Sequence, residues 1–514
     1  MRKLLLATVA ALGASMGFAA YADAQVVDNS TDGQSYPTPG TVTVRLNGRF
    51  RQYAYVADNG AVRTTNYGVT GVNGTTTGSG AAVGATAATG GVNQQGSNRL
   101  SNYGFEGYAR LYPGFDGVAA NGLKYGASLE IRQDNAFGAG GGTDGSISSS
   151  NRSRGALYLR REWGYIGTDK FGSVRFGSAD QPSSLFLTGT GENFDDGGLN
   201  GDVPGFLANG GAYVYPFADV GNLYSTDKLV YLSPQFYGVD FGLSYEPSTA
   251  AIGNDNGAGC GGNGNPASGN SLATSPGAST AAPGCDALNS TSTTDIARRK
   301  DTYEGLVRYR GTFGAFGVVG TASYDGSGRV HDSGVLGSSI DPKHVRNEDL
   351  SVYDFGLAVT YGGLTVSGNY QRGRYNVQGG GGFGGLVTKG QPDSNAYVGS
   401  VSYTVGPLIV GAAFSESWYE GNQTAATNAS SIAGGASPLT VGGVTGGQRR
   451  DTGLAVGGTY SLAPGVALYL SGVWEEARQR GVNLVTGGSN VGLATDVHNK
   501  LDQSVLAFGT SFAW

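Results

Sequence analysis

The chain has 514 residues and a formal net charge of −6, from 33 Lys and Arg against 39 Asp and Glu, with a pI near 5.2. An acidic balance argues against nucleic acid as a partner, because phosphate recognition needs a basic face. With 92 Gly, 29 Tyr, 20 Phe and only 14% charged residues, the composition disfavours long helices and suits many short strands joined by polar loops.

At the N-terminus Arg2 and Lys3 precede an apolar run over residues 4–20 that ends in small residues, the pattern of a secretory signal peptide. Ala22-Asp23-Ala24 fits the small-x-small rule and places cleavage before Gln25, with cleavage after Ala22 as the competitor. Residues 1–24 are expected to be removed and residues 25–514 to form one domain. No other apolar stretch approaches 20 residues, which excludes a helical membrane protein. A periplasmic, secreted or barrel protein remains, and a mean hydropathy of −0.18 suits a barrel, whose polar and apolar residues alternate.

Alternating segments predict a first strand at 41–56, then strand pairs at 102–134, 155–177, 229–245, 303–324, 352–375, 397–418 and 454–476, and a last strand at 501–514. Turns are placed at Pro113-Gly114, 168–171, 234–238, Gly314, Gly362-Gly363, Gly406-Pro407 and 463–465. About sixteen strands, with brief turns alternating with long Gly/Asn/Ser/Thr-rich loops, describe an all-β transmembrane antiparallel barrel with periplasmic turns and extracellular loops.

Side-chain alternation supports this. Val44, Leu46 and Phe50 alternate with Arg45, Asn47, Arg49 and Arg51; Phe105, Ala109 and Leu111 with Glu106, Tyr108 and Arg110; Leu129 and Ile131 with Ser128, Glu130 and Arg132. A charge at the bilayer midplane costs about 2–4 kcal/mol for Arg or Lys, so the polar faces are expected to line a wet lumen. Arg161 and Glu416 break the pattern, which implies either a headgroup-level position or a shifted register. Aromatics near strand ends, among them Tyr53, Tyr103, Tyr112, Trp163, Tyr165, Tyr245, Tyr403, Tyr460 and Trp474, are expected to form two interfacial girdles. In the last segment Leu506, Phe508, Phe512 and Trp514 share one face and small residues the other; Phe512 and Trp514 are the expected assembly signal. A soluble β-sandwich would also accept such a strand, but a bare apolar edge invites aggregation there.

Cys260 and Cys285 lie in one Gly/Asn/Ser/Pro-rich stretch of an exported chain, which suggests a single disulfide closing a surface loop. By loop entropy it contributes about 3 kcal/mol to ordering that loop. No histidine lies near enough to complete a zinc site, and no metal or cofactor is expected.

The chain resembles the general diffusion porins of Gram-negative bacteria, the sixteen-stranded trimeric type. The resemblance covers the mature chain and rests on Phe171-Gly172-Ser173-Val174-Arg175-Phe176-Gly177, on the stretches Lys228-Leu229-Val230-Tyr231-Leu232-Ser233-Pro234 and Phe236-Tyr237-Gly238-Val239-Asp240-Phe241-Gly242, and on the aromatic C-terminus. That family usually ends in Phe, where this chain has Trp514. The resemblance implies a third long loop folded into the lumen, its acidic groups facing arginines on the wall. By position, the loop carboxylates are Glu192, Asp195, Asp196 and Asp202, and the wall arginines Arg45, Arg49, Arg110, Arg132 and Arg160. It also implies a homotrimer embedded in outer-membrane lipid and delivered by the barrel-assembly machinery.

The three histidines, His331, His344 and His498, fall in predicted loops, and no triad or phosphate-binding motif accompanies them. An enzyme is not expected. Passive diffusion of ions and small hydrophilic solutes is the expected function. The alternatives are a sugar-type specific channel, for which only Tyr108, Tyr158 and Tyr469 are inward aromatic candidates, and a barrel-anchored adhesin or receptor. Ion preference is left open, since the wall is basic and the third loop acidic.

Overall fold

Each strand of the main sheet pairs with its neighbours in sequence and the first pairs with the last, so the sheet closes on itself as an antiparallel barrel of sixteen strands. The computed structural model describes residues 37–60, 102–134, 157–207, 212, 214–217, 227–248, 297–298, 300–328, 331–332, 348–375, 387, 391–421, 447–482, 484 and 499–514. Cys260, Cys285, His344, His498 and residues 1–24 lie outside them.

The strands are β1 (Thr41–Asp58), β2 (Tyr103–Val118), β3 (Lys124–Asp134), β4 (Tyr158–Thr168), β5 (Gly172–Ser178), β6 (Asp227–Leu232), β7 (Val239–Ser248) and β8 (Lys300–Phe313). They continue with β9 (Phe316–Gly326), β10 (Ser351–Tyr361), β11 (Leu364–Arg374), β12 (Ser394–Val405), β13 (Leu408–Tyr419), β14 (Arg449–Ala463), β15 (Val466–Arg478) and β16 (Lys500–Ala513). His331–Asp332 pairs with Ala297–Arg298 outside the barrel. Among the described residues no helix is long and apolar enough to cross a membrane; the strands make the crossing.

Period-two patterning sets the register, because a slip of one residue would turn every lipid-facing side chain into the lumen. Val44, Phe105 and Leu506 are exposed on the outer face, whereas Arg45, Arg49, Arg51 and Arg110 are buried inside. At one end, two-residue turns reverse the chain; Gly362 and Gly406 hold φ of +57° and +56° there, left-handed values that glycine adopts without strain. At the other end the long loops emerge.

Two expectations are corrected, the first hairpin turn and the membership of the aromatic girdles, and the two breaks in the pattern, Arg161 and Glu416, are resolved. The first hairpin turns at 119–123, where Gly122 N donates to Ala119 O (2.9 Å) and Ala119 N to Leu123 O (2.8 Å), and not at Pro113-Gly114. Pro113 sits inside β2 opposite Leu46, where the β2–β3 register passes from Leu111↔Ile131 to Gly114↔Ser128; the interrupted ladder tolerates a residue with no amide hydrogen. Arg161 points inward because the β3–β4 register shifts between Glu130 and Ile131, leaving Arg160 as the extra residue of a bulge. Glu416 stays outward near the loop end of β13, bonded to Tyr397 (2.7 Å) and to Arg450, which fits headgroup level. Finally, Tyr53, Tyr112, Trp163 and Tyr165 are buried inside the barrel and do not join the girdles, while Tyr103, Tyr245, Tyr403, Tyr460 and Trp474 do face outward.

Candidate functional site

The two shortest strands, β5 and β6, have 7 and 6 residues, and between them the third long loop, L3, enters the barrel. Its first turn, α1 (Pro182–Leu185), settles on β7 and β8, where Ser183 N donates to the Glu304 carboxylate. Farther on, Thr188 O accepts from Asn369 Nδ2 of β11 (3.0 Å) and Asn193 Nδ2 donates to Ser402 Oγ of β12 (2.6 Å). Thr459 of β14 then donates to Asp195 O (2.7 Å) and Ser471 of β15 to the Asp195 carboxylate (2.9 Å). The loop thus runs as a belt around the wall from β7 to β1.

Inward glycines mark that track. A Cβ on Gly242, Gly356, Gly411, Gly453 or Gly457 would come closer than 3.0 Å to Pro182, Thr188 O, Phe194, Val214 or Asp195, respectively. Between loop and wall, Leu187, Phe194, Leu199, Val203 and Leu207 join inward Ala396, Val398, Ala413, Ala455, Val473 and Val505 in an apolar core. The expectation that the inward faces line a wet lumen is corrected here: on the β12–β16 side L3 covers the wall with apolar contacts.

The loop carboxylates divide in role. Glu192 accepts from Thr190 Oγ1 (3.1 Å) and from Tyr215 Oη. Asp195, at φ +47°, accepts from Gly197 N (3.0 Å) and Gly198 N (2.6 Å) as well as Ser471. Asp196 accepts from Asp202 N (2.8 Å), Val203 N (3.2 Å) and Tyr53 Oη (3.3 Å). Of these four acids, Asp202 is the one in an ion pair among the described residues, with Arg51 (3.0 Å) and Arg110 (3.4 Å), and Tyr108 Oη also donates to it. Phe206 fixes the same segment by stacking on Tyr55 with centroids 4.8 Å apart.

Ionisation follows this division. Burial raises Glu192 to about 7. Burial and then the Asp202 charge raise Asp196 to about 6, and burial followed by Asp196 lifts Asp195 well above the carboxylate range. Burial opposes ionisation of Asp202 too, yet Arg51, then Arg110 and Arg49, hold it down to about 2. Asp202 is therefore the tip carboxylate that the three arginines hold ionised across the whole neutral and mildly acidic range, while Asp196 gains its charge as pH rises through about 6.

Of the arginines expected on the wall, Arg49 and Arg110 are at this point, flanking the Tyr108 ring at 5.4 and 4.3 Å. Arg45 instead pairs with Asp116 (2.5 Å), and Arg132 and Arg160 pair with Glu130, which also takes Arg161. Arg51, Tyr53 and Tyr108 were not among the expected site residues. Their parity with Arg49 on β1 and with Arg110 on β2 was the available signal, since residues two apart share a face. Tyr469 holds Arg51 at 5.2 Å from its ring; the Tyr158 side chain lies outside the described residues. Among the described residues no group of three His, Cys, Asp or Glu could hold a metal ion.

The model of the Gram-negative porin family matches residues 7–479. The chain belongs to the Gram-negative porin family. The porin is also similar to solved structures. An anion-selective porin from Comamonas acidovorans has 14% identity and a TM-score of 0.48, over 92% of this chain and 100% of the other. The trimer form of OmpT, an outer membrane protein of Vibrio cholerae, has 12% identity and a TM-score of 0.44, over 92% and 100%. A mutant of the Rh. blastica porin has 12% identity and a TM-score of 0.40, over 92% and 100%. No curated protein matches the chain. Family and fold make this porin an outer-membrane diffusion channel and point away from an enzyme.

Proposed function

We propose that the porin is a passive, water-filled channel for ions and small hydrophilic solutes that prefers small anions, with its constriction between the L3 tip and the β1–β2 wall. The observation that carries this reading is the imbalance at the tip: Arg49, Arg51 and Arg110 surround the single carboxylate of Asp202. Glu192 and Asp195 turn into the loop and the β14–β15 wall, where hydrogen bonds and burial absorb them, and Asp196 is taken up by the loop backbone and the Tyr53 hydroxyl of β1. Fixed guanidinium charges in a narrow gap concentrate anions and exclude cations. Arg45, Arg132 and Arg160 extend the basic side, each partnered by a wall carboxylate.

A sugar-type channel finds less support, because Tyr108 and Tyr469 serve as platforms for arginines and do not form an aromatic ladder. The reading includes a homotrimer, a mature domain of residues 25–514 released by removal of residues 1–24, and a Cys260–Cys285 disulfide in an extracellular loop.

The test is a planar bilayer recording of the purified protein under a KCl gradient. Openings in steps of three with a reversal potential of the anionic sign support the proposal. A cationic sign removes the anion preference, and an absence of conductance removes the open channel and shifts the function to the surface loops.

A further inference from the structure

Behind the incoming half of L3, one row across three strands carries Ser323 of β9, Asp354 of β10 and Gln371 of β11, paired as Ser323↔Asp354↔Gln371. The next row carries Thr321 and Asn369 on either side of Gly356. All five side chains face inward and are at most 8% exposed; Gln371 is at 0%. They are nonetheless under-used. Neither amide atom of Gln371 has a hydrogen-bond partner among the described residues, and Thr321 Oγ1, Ser323 Oγ, Asp354 Oδ2 and Asn369 Oδ1 are likewise unpaired.

Asp354 has one partner, Asn369 Nδ2, at 3.0 Å, and among the described residues no side-chain cation pairs with it. Arg308, across from Thr321, is committed to Asp240 through two bonds of 2.9 and 2.7 Å. A buried carboxylate is paired, coordinates a metal, or gives up its charge. Here the surrounding unpaired atoms are nearly all oxygens, from one carboxylate, two amides and two hydroxyls. Such a set suits a hard cation. A shell dominated by neutral amide and hydroxyl oxygens drawn from three strands favours Ca²⁺, which accepts flexible oxygen shells, over Mg²⁺, which demands a near-ideal octahedron.

We infer that Asp354, Gln371, Ser323, Thr321 and Asn369 form a calcium-binding site between L3 and the β9–β11 wall. With a single carboxylate the site is weak, with a Kd on the order of 10⁻⁴–10⁻³ M, in the range of extracellular calcium modules. Binding also bears on the loop. Asn369 Nδ2 bonds both Asp354 and Thr188 O, each at 3.0 Å, so a cation that fixes Asn369 through Oδ1 fixes the loop backbone with it.

The test is equilibrium dialysis of ⁴⁵Ca²⁺ against the purified full-length porin, with Asp354→Asn, Gln371→Glu and the outward-facing Glu476→Gln compared with wild type, each variant first shown to conduct. Loss of one bound Ca²⁺ per chain in Asp354→Asn, a roughly tenfold tighter site in Gln371→Glu and no change in Glu476→Gln are expected. Equal stoichiometry in wild type and Asp354→Asn overturns the site. So does an infrared carboxylic-acid band at neutral pH and millimolar Ca²⁺ that disappears in Asp354→Asn, because a protonated Asp354 needs no counter-ion. Should Asp354→Asn fail to assemble, an unchanged affinity in Gln371→Glu overturns the proposal by itself.

Discussion

The Tyr108 hydroxyl donates to the Asp202 carboxylate while the Tyr108 ring lies 4.3 Å from the guanidinium carbon of Arg110. One side chain on the wall thus sets the position of both the loop's fixed negative charge and one of the cations facing it. Asp202 is held by four side chains, the hydroxyls of Tyr108 and Tyr53 and the guanidiniums of Arg51 and Arg110, and its orientation is not left to the backbone of a loop.

Changing that charge should move selectivity without moving the fold. A unit charge about 6 Å from a passing ion in high dielectric is worth about 0.7 kcal/mol, or roughly threefold in local ion concentration. Asp202→Asn is therefore expected to raise the chloride-to-potassium permeability ratio by about that factor, and Arg51→Gln to lower it similarly. Reversal potentials in a salt gradient measure both. Tyr108→Phe keeps every formal charge, so a shift in that variant reports the loss of positioning alone.

Acidification should tighten the docked loop. Glu192 and Asp196 have folded values near 7 and 6 against ordinary values of 4.5 and 3.8, so the docked loop binds more protons than the released one between those limits. Stability from such raised acids is complete below the ordinary value and is lost as pH rises through the folded value. Glu192 alone accounts for a change on the order of 3 kcal/mol across the window. Asp202 acts in the opposite sense, because its lowered value removes stability only as pH falls toward about 2. Amide hydrogen exchange over L3 at pH 5 and pH 8, corrected for the intrinsic rate, should show greater protection at pH 5; equal protection would contradict the assignment.

The barrel was legible because lipid and water impose a period-two code on every strand, and fourteen of the sixteen strands fall where alternation put them, to within a few residues. The exceptions, the end of the second strand and the start of the third, were misread because Pro113-Gly114 carries a strong local turn signal that tertiary pairing overrides. The loop was only half legible. Acidic residues identify its tip, but which of them meets arginine depends on how the chain wraps. Glu192, Asp195 and Asp196 are spent on Tyr215, Ser471 and Tyr53, partners 23, 276 and 143 residues away in sequence, two of them on strands read as wet wall. Inward glycines at 242, 356, 411, 453 and 457 mark the loop's path, yet without knowing that something lay against them they read as ordinary small lumen residues.

That path predicts where the loop is most easily dislodged. Phe194 is 1% exposed and its ring lies over Gly411 of β13. Phe194→Ala should weaken docking by about 3–5 kcal/mol, the cost of emptying a large buried site, and Gly411→Val should have the same effect by forcing the ring away. Both variants are expected to assemble, since the strand register is untouched, but to show noisier and larger single-channel currents. Unchanged current traces in both would mean that L3 is held without this contact.

Barrel closure depends on a second close approach. Gly48 and Trp514 exchange both backbone hydrogen bonds at 3.1 Å across the β1–β16 seam, and a Cβ on Gly48 would lie closer than 3.0 Å to three atoms of the Trp514 indole. Gly48→Val is thus an overpacking substitution at the seam, expected to cost about 1–3 kcal/mol and to lower the temperature at which the folded barrel loses its compact migration on gels. Because the clash is with the ring and not with the backbone, Gly48→Val combined with Trp514→Ala should recover much of that loss. The two sites touch, so their effects should be non-additive. Additive losses would place the cost of Gly48→Val in the strand backbone and leave the indole without a part in sealing the barrel.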